Sequence, residues 1–115
     1  MMNKIMDHCD SYLHSWTSWE IHSLLNSKME PNLEVLKHVS RTYAQAVAGH
    51  AISQSFNSTT GVYSLEFTVN TAISQPTQIY LNSKLHYPNG VDITLIPNTL
   101  QITHSEPNLL LLQTT

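Results

Sequence analysis

With 115 residues, 41% of them apolar, the chain is long enough for one domain with a real core and too apolar for general disorder. Only 11% are charged, and five lysines and arginines against eight acids leave a net charge of −3, which excludes a nucleic-acid surface and a polybasic membrane anchor. Ser, Thr, Asn and Gln fill the gap, a polar uncharged surface that favours exposed β-strands and an extracellular setting over a cytosolic helical domain.

Met1 to Asp7 does not read as a signal peptide, because polar and acidic residues interrupt it before an apolar run forms. Ile5, Met6 and Cys9 fall on one helical face. Cys9 is the sole cysteine, so it makes no internal disulfide and reads as a small buried hydrophobe. Tyr12 to Trp19 is aromatic and β-compatible and reads as a strand. Trp16 and Trp19, three apart on such a strand, point to opposite faces. Core packing of both is the simpler reading. The alternative leaves one indole lining a cleft, where its negative ring face attracts the C–H groups of a sugar. Ile21 to Ser27 carries no clear pattern.

Pro31 to Ser40 reads as a helix, with Pro31 in the first turn, where a missing N–H is harmless. Leu33, Leu36 and Val39 repeat at helical spacing beside Val35, and Lys37, His38 and Arg41 lie near the C-terminal end, where positive charge is favoured. From Ala51 the period becomes two. Ile52 and Phe56 share a face of one strand, Asn57 to Gly61 is a turn, and Tyr63, Leu65, Phe67 and Val69 alternate with polar residues to complete a hairpin. Thr77 to Leu81 and Val91 to Ile96 repeat the pattern around the turn Tyr87 to Gly90, and Leu100 to Thr103 and Leu109 to Gln113 are the last strands. About five to seven short antiparallel strands imply a mainly β fold, a small immunoglobulin-like sandwich. The run Leu109 to Leu112 is far too short to span a bilayer.

Little here carries chemistry unaided. The seven histidines are scattered without ligand spacing, so neither a metal nor a cofactor is expected. No Gly-x-Ser-x-Gly elbow exists, and glycines at 49, 61 and 90 form no phosphate loop. Among the carboxylates only Glu20 sits beside an aromatic strand end, a candidate substrate-lining residue without a partner acid. Asn57-Ser58-Thr59 is an N-glycosylation sequon on a turn.

Arg41-Thr42-Tyr43-Ala44-Gln45-Ala46-Val47-Ala48-Gly49, Tyr63-Ser64-Leu65-Glu66-Phe67, Gln75-Pro76-Thr77-Gln78-Ile79-Tyr80 and Tyr87-Pro88-Asn89-Gly90 occur in that order. This series resembles the C-terminal β-sandwich of endoglycoceramidase-like enzymes of glycoside hydrolase family 5. Ala44 departs from the family pattern, which usually has proline at that place. Met6 to Asp10 and Leu13 to Glu20 are similar to the end of the same family's (β/α)8 barrel, its seventh helix and eighth strand. The resemblance implies two parts, a barrel remnant over residues 1–40 with the barrel's last strand and helix, and a sandwich domain over 41–115. It implies a retaining endoglycosidase that cleaves the oligosaccharide–ceramide bond of glycosphingolipids, with the barrel packed upstream on the sandwich. The family's two catalytic glutamates fall upstream of Met1, so the resemblance implies no catalytic residue here. Trp19 matches the tryptophan that ends strand eight and lines the sugar subsite nearest the cleaved bond. The expectation is therefore a fragment of a secreted or lysosomal enzyme, inactive alone. The alternative is a self-standing, non-catalytic sandwich that binds glycan, a lipid surface or a partner protein.

Overall fold

The structure, a computed structural model, describes residues 2–17, 21–96 and 99–114. Helix α1 (Met2–Ser11) opens it and buries Met6, with Cys9 half-buried beside it. Ile5, expected on the same face, stays exposed. The helix ends in a Schellman cap: the His14 amide donates to the Cys9 carbonyl at 2.8 Å and the Leu13 amide to the Asp10 carbonyl at 3.1 Å. Leu13 takes the left-handed position usually held by glycine, at φ 56°. Tyr12 and Leu13 thus belong to a helix terminus. The expected strand from Tyr12 to Trp19 is not formed over its described part, Tyr12 to Thr17, where no neighbouring strand pairs with it. Without a neighbour to take its amides, an aromatic β-compatible segment gains nothing from extension into a ladder.

A short 3₁₀ turn (Ile21–Leu24) leads to α2 (Leu33–Val39). Pro31 precedes the N-cap Asn32, whose side chain accepts from the Val35 amide at 3.4 Å. Val35, Leu36 and Val39 are half-buried, while Leu33 points to solvent.

Among the described residues six strands follow in two antiparallel layers, a small β-sandwich. One layer has four strands in the order β1 (Tyr43–Ala46), β4 (Thr77–Tyr80), β6 (Leu109–Thr114), β5 (Leu100–Glu106). The other is the hairpin of β2 (Gly49–Phe56) and β3 (Tyr63–Val69). The hairpin turn is built by Asn57, whose side-chain oxygen accepts from the Thr59 and Thr60 amides at 2.9 and 3.1 Å. A helical turn, α3 (Ser83–His86), capped by Asn82, carries the chain out of β4.

Two expectations are corrected here. Ile52 does not share a face with Phe56: the β2–β3 register shifts between Ala51 and Ser53, and the bulge leaves Ile52 50% exposed while Phe56 is buried. Val91 to Ile96 forms no strand despite its alternation, and runs unpaired between the Tyr87–Gly90 turn and β5.

The core is thin. Ile79, Leu81, Leu110 and Leu112 form its buried cluster, with Tyr63, Leu65, Tyr87 and Leu95 packed against it and only half covered. The radius of gyration, 15.3 Å, exceeds the roughly 13 Å of a compact chain near this length.

Candidate functional site

The run Arg41 to Gly49 leads from the helices into the sandwich, and several of its residues make a distinct junction contact. Arg41, the chain's sole arginine, is 4% exposed. Its Nη2 donates to Asp7 at 2.8 Å and Asp10 at 2.9 Å, both on α1, and to the Phe56 carbonyl at 3.0 Å at the end of β2. The guanidinium carbon also lies 5.1 Å from the Phe56 ring centroid. One side chain thus ties α1 to the hairpin. Thr42 donates its hydroxyl to Tyr87 Oη at 2.6 Å, since Tyr87 gives its own proton to the Gly61 carbonyl at 2.8 Å. Tyr43 and Ala44 pair with Tyr80 and Ile79 of β4. The Ala48 amide donates to the fully buried Thr77 hydroxyl at 3.0 Å, and Gly49 starts β2 opposite Val69.

Tyr63, on β3, reaches the same junction. Its hydroxyl donates to Gln54 Oε1 at 3.0 Å. Burial pushes its pKa well above the ordinary tyrosine value and the nearby Asp10 carboxylate adds to this, while a hydrogen bond from the Ala44 backbone opposes both. Ala44 occupies the place where the resemblance expects proline, and a proline has no N–H to make that bond.

Between α1 and the sandwich lies an open cleft of about 780 Å³. Trp16, half-buried, lines it with His14, Tyr43, Tyr80, Gln45 and Gln54. Tyr43 and Tyr80 face each other at 5.5 Å between ring centroids. Aromatic faces interleaved with side-chain amides are the surface on which a sugar ring can stack and hydrogen-bond. The two substrate-lining candidates, Trp19 and Glu20, lie outside the described residues. Asn57 is exposed on the hairpin turn and does not line this cleft, while its sequon neighbour Ser58 is buried and hydrogen-bonds His38 Nδ1 at 2.8 Å. Among the described residues no cluster of His, Cys, Asp and Glu could hold a metal, and no helix is long and apolar enough to cross a membrane. Asp7 and Asp10 share a helix face at three-residue spacing, and nothing in their local pattern marks them as partners of Arg41, 34 and 31 residues further on.

His86 sits beside the node, edge-on to Phe56 at 4.9 Å, its Nε2–H donating to the Ser40 carbonyl at 2.6 Å. Burial holds its pKa below 6.5, the Ser40 hydrogen bond offsets part of that, and the positive charges of Lys37, Arg41 and His38 press it lower. The folded chain therefore takes this proton less readily than the unfolded chain. The stabilisation is present above pH 6.5 and is lost as pH falls through the depressed folded value. Urea midpoints taken from about pH 7 down to about pH 5 should decline, and His86→Gln should flatten part of that decline. An unchanged slope in the variant contradicts the assignment.

Residues 41–115 match the model of the glycoside hydrolase family 5 C-terminal domain. An endoglycoceramidase from Cyanea nozakii is 36% identical over 112 residues, covering 84% of this chain and 22% of that protein. An endoglycoceramidase from Hydra vulgaris is 36% identical over 118 residues, covering 91% of this chain and 22% of that protein. Endoglycoceramidase I from Rhodococcus hoagii is 32% identical over 91 residues, covering 78% of this chain and 18% of that protein. The chain spans about a fifth of the length of these relatives. With its antiparallel sandwich and its Arg41–Gly49 junction, the chain belongs to glycoside hydrolase family 5, as the C-terminal region of an endoglycoceramidase-like member.

Proposed function

We propose that this chain is the C-terminal part of a retaining endoglycosidase that hydrolyses the oligosaccharide–ceramide bond of glycosphingolipids. In this reading residues 1–40 complete the catalytic barrel and residues 41–115 form the sandwich that props it. The observation that carries the proposal is the Arg41 node, which fastens the sandwich to α1 immediately before the segment holding Trp16 and Trp19. A prop serves catalysis by holding a substrate-lining indole still, because orientation of the bound sugar is itself part of the rate. Trp19 lines the subsite beside the cleaved bond, Glu20 borders it, and the upstream barrel supplies both catalytic glutamates. The exposed sequon turn at Asn57 supports glycosylation and a secreted or lysosomal setting.

The test uses the chain and the complete enzyme together. The chain alone should not hydrolyse a fluorescent glucosylceramide or ganglioside analogue. In the complete enzyme, Trp19→Ala should lower kcat/KM by about tenfold more than Trp16→Ala at matched stability. Turnover by the chain alone, or equal effects of the two substitutions, would contradict the proposal.

A further inference from the structure

We propose that Asn89 is a site of spontaneous backbone modification: its side-chain amide closes onto the Gly90 nitrogen, and water opens the ring to isoaspartate and aspartate. This does not depend on the glycosidase reading.

The reaction needs only water. The Gly90 nitrogen gives its proton to water and attacks Asn89 Cγ. The N–Cγ bond forms, Nδ2 takes a proton from water, and the Cγ–Nδ2 bond breaks to release ammonia. Water then adds to the cyclic imide. Opening at Cγ restores the peptide and leaves aspartate. Opening at the main-chain carbonyl leaves isoaspartate, with the chain now running through the former side chain.

Ring closure requires a reachable nitrogen, a peptide that can rotate and an unfastened side chain. Gly90 is exposed at φ 104°, and an added β-carbon would meet nothing within 4 Å. The peptide is held by the turn bond from the Gly90 amide to the Tyr87 carbonyl at 3.1 Å, and residues 91–96 beyond it pair with no strand. Asn89 is exposed, and no hydrogen bond to another described residue holds its side chain.

The chain carries its own contrast. Asn26, Asn57 and Asn82 each precede serine, a small residue that also admits this attack, yet all three side chains are fastened. Asn26 Oδ1 accepts from the Lys28 and Glu30 amides at 2.9 and 3.0 Å. Asn57 Oδ1 accepts from two amides of the hairpin turn, and the attacking residue there, Ser58, is buried. Asn82 Oδ1 accepts from the Leu85 amide at 3.1 Å, and its Nδ2 donates to the Ser40 hydroxyl at 3.1 Å. Closing the ring at any of these breaks those bonds first, whereas at Asn89 the turn bond alone gives way.

The experiment is peptide mapping by mass spectrometry of the 115-residue chain, kept folded at mildly alkaline pH, beside a sample unfolded in guanidinium chloride. A gain of one dalton reads deamidation, and methyl transfer by an isoaspartyl methyltransferase reads the isoaspartate. In the folded chain Asn89 should convert at least about tenfold faster than Asn26, Asn57 or Asn82. Unfolding should accelerate those three by about tenfold or more, and Asn89 by less. Gly90→Ala should slow Asn89, because a β-carbon crowds the attacking nitrogen. A smaller lead over any of the three overturns the proposal, as does an unslowed Gly90→Ala variant. Acceleration of Asn89 by about tenfold or more on unfolding also overturns it, because the fold would then be shielding the site. So does a product that accepts no methyl group, because direct hydrolysis of the side chain gives aspartate alone.

Discussion

Gly49→Ala is expected to destabilise the chain by more than about 3 kcal/mol, enough to threaten folding of a domain with so thin a core. A β-carbon at position 49 would sit 1.8 Å from the Thr68 carbonyl oxygen and 3.1 Å from the Asn70 amide nitrogen. Both are backbone atoms of the strand partner, so no side-chain rotation relieves the clash. Gly49 faces Val69 in the ladder, and the next bond, from the Asn70 amide to the Ala48 carbonyl at 3.0 Å, closes the hairpin at its open end. Relief therefore requires parting β2 from β3 where the chain crosses from one sheet to the other. Gly90→Ala is the control: it too has a positive φ, 104°, but an added β-carbon meets nothing within 4 Å. That variant should cost about 1 kcal/mol from backbone strain alone. Urea unfolding of the two variants separates steric exclusion from conformational preference, and equal costs would refute the clash.

The same glycine shows what could be read before the fold was known. The run ending in Gly49 stands out in the sequence as a junction, and the alternation from Tyr63 to Val69 marks β3 because a half-buried strand leaves a period of two. The sequon turn at Asn57 announces itself through local hydrogen-bonding chemistry, whereas the helix expected from Pro31 starts only at Leu33, because the Asn32 side chain caps it and leaves Pro31 outside. Failures arise where local pattern and partner part company. Leu13 hides a helix cap because glycine is the usual sign of one, so Tyr12 and Leu13 pass for the start of a strand. Ile52 changes face because a bulge resets the register, an event that alternation cannot reveal. Val91 to Ile96 has the sequence of a strand and no neighbour to make it one. At the junction, Arg41 is conspicuous as the sole arginine, but its partners lie 31 and 34 residues earlier, a distance no spacing rule covers.

Arg41→Ala should cost about 3–5 kcal/mol, most of it from leaving a largely buried acid without its counter-charge. The Asp10 side chain is only 13% exposed and shares the guanidinium with the Phe56 carbonyl, which would also lose its donor. Asp7 is 51% exposed, so solvent screens its pair and Asp7→Ala should cost at most about 1 kcal/mol. Arg41→Lys should recover only part of the loss, because an ammonium can serve the same acceptors but lacks the flat guanidinium that lies over the Phe56 ring. Replacing Arg41 and Asp10 together by leucine tests the cause: if the stranded acid dominates, the double variant is more stable than Arg41→Ala. Amide exchange locates the damage. Protection should fall across α1 while β4 and β6, whose pairing does not involve Arg41, keep theirs. If Arg41→Ala stays within about 1 kcal/mol of the parent, or if β4 and β6 open together with α1, Arg41 is not the fastening between helix and sandwich, and the prop assigned to this domain loses its physical basis.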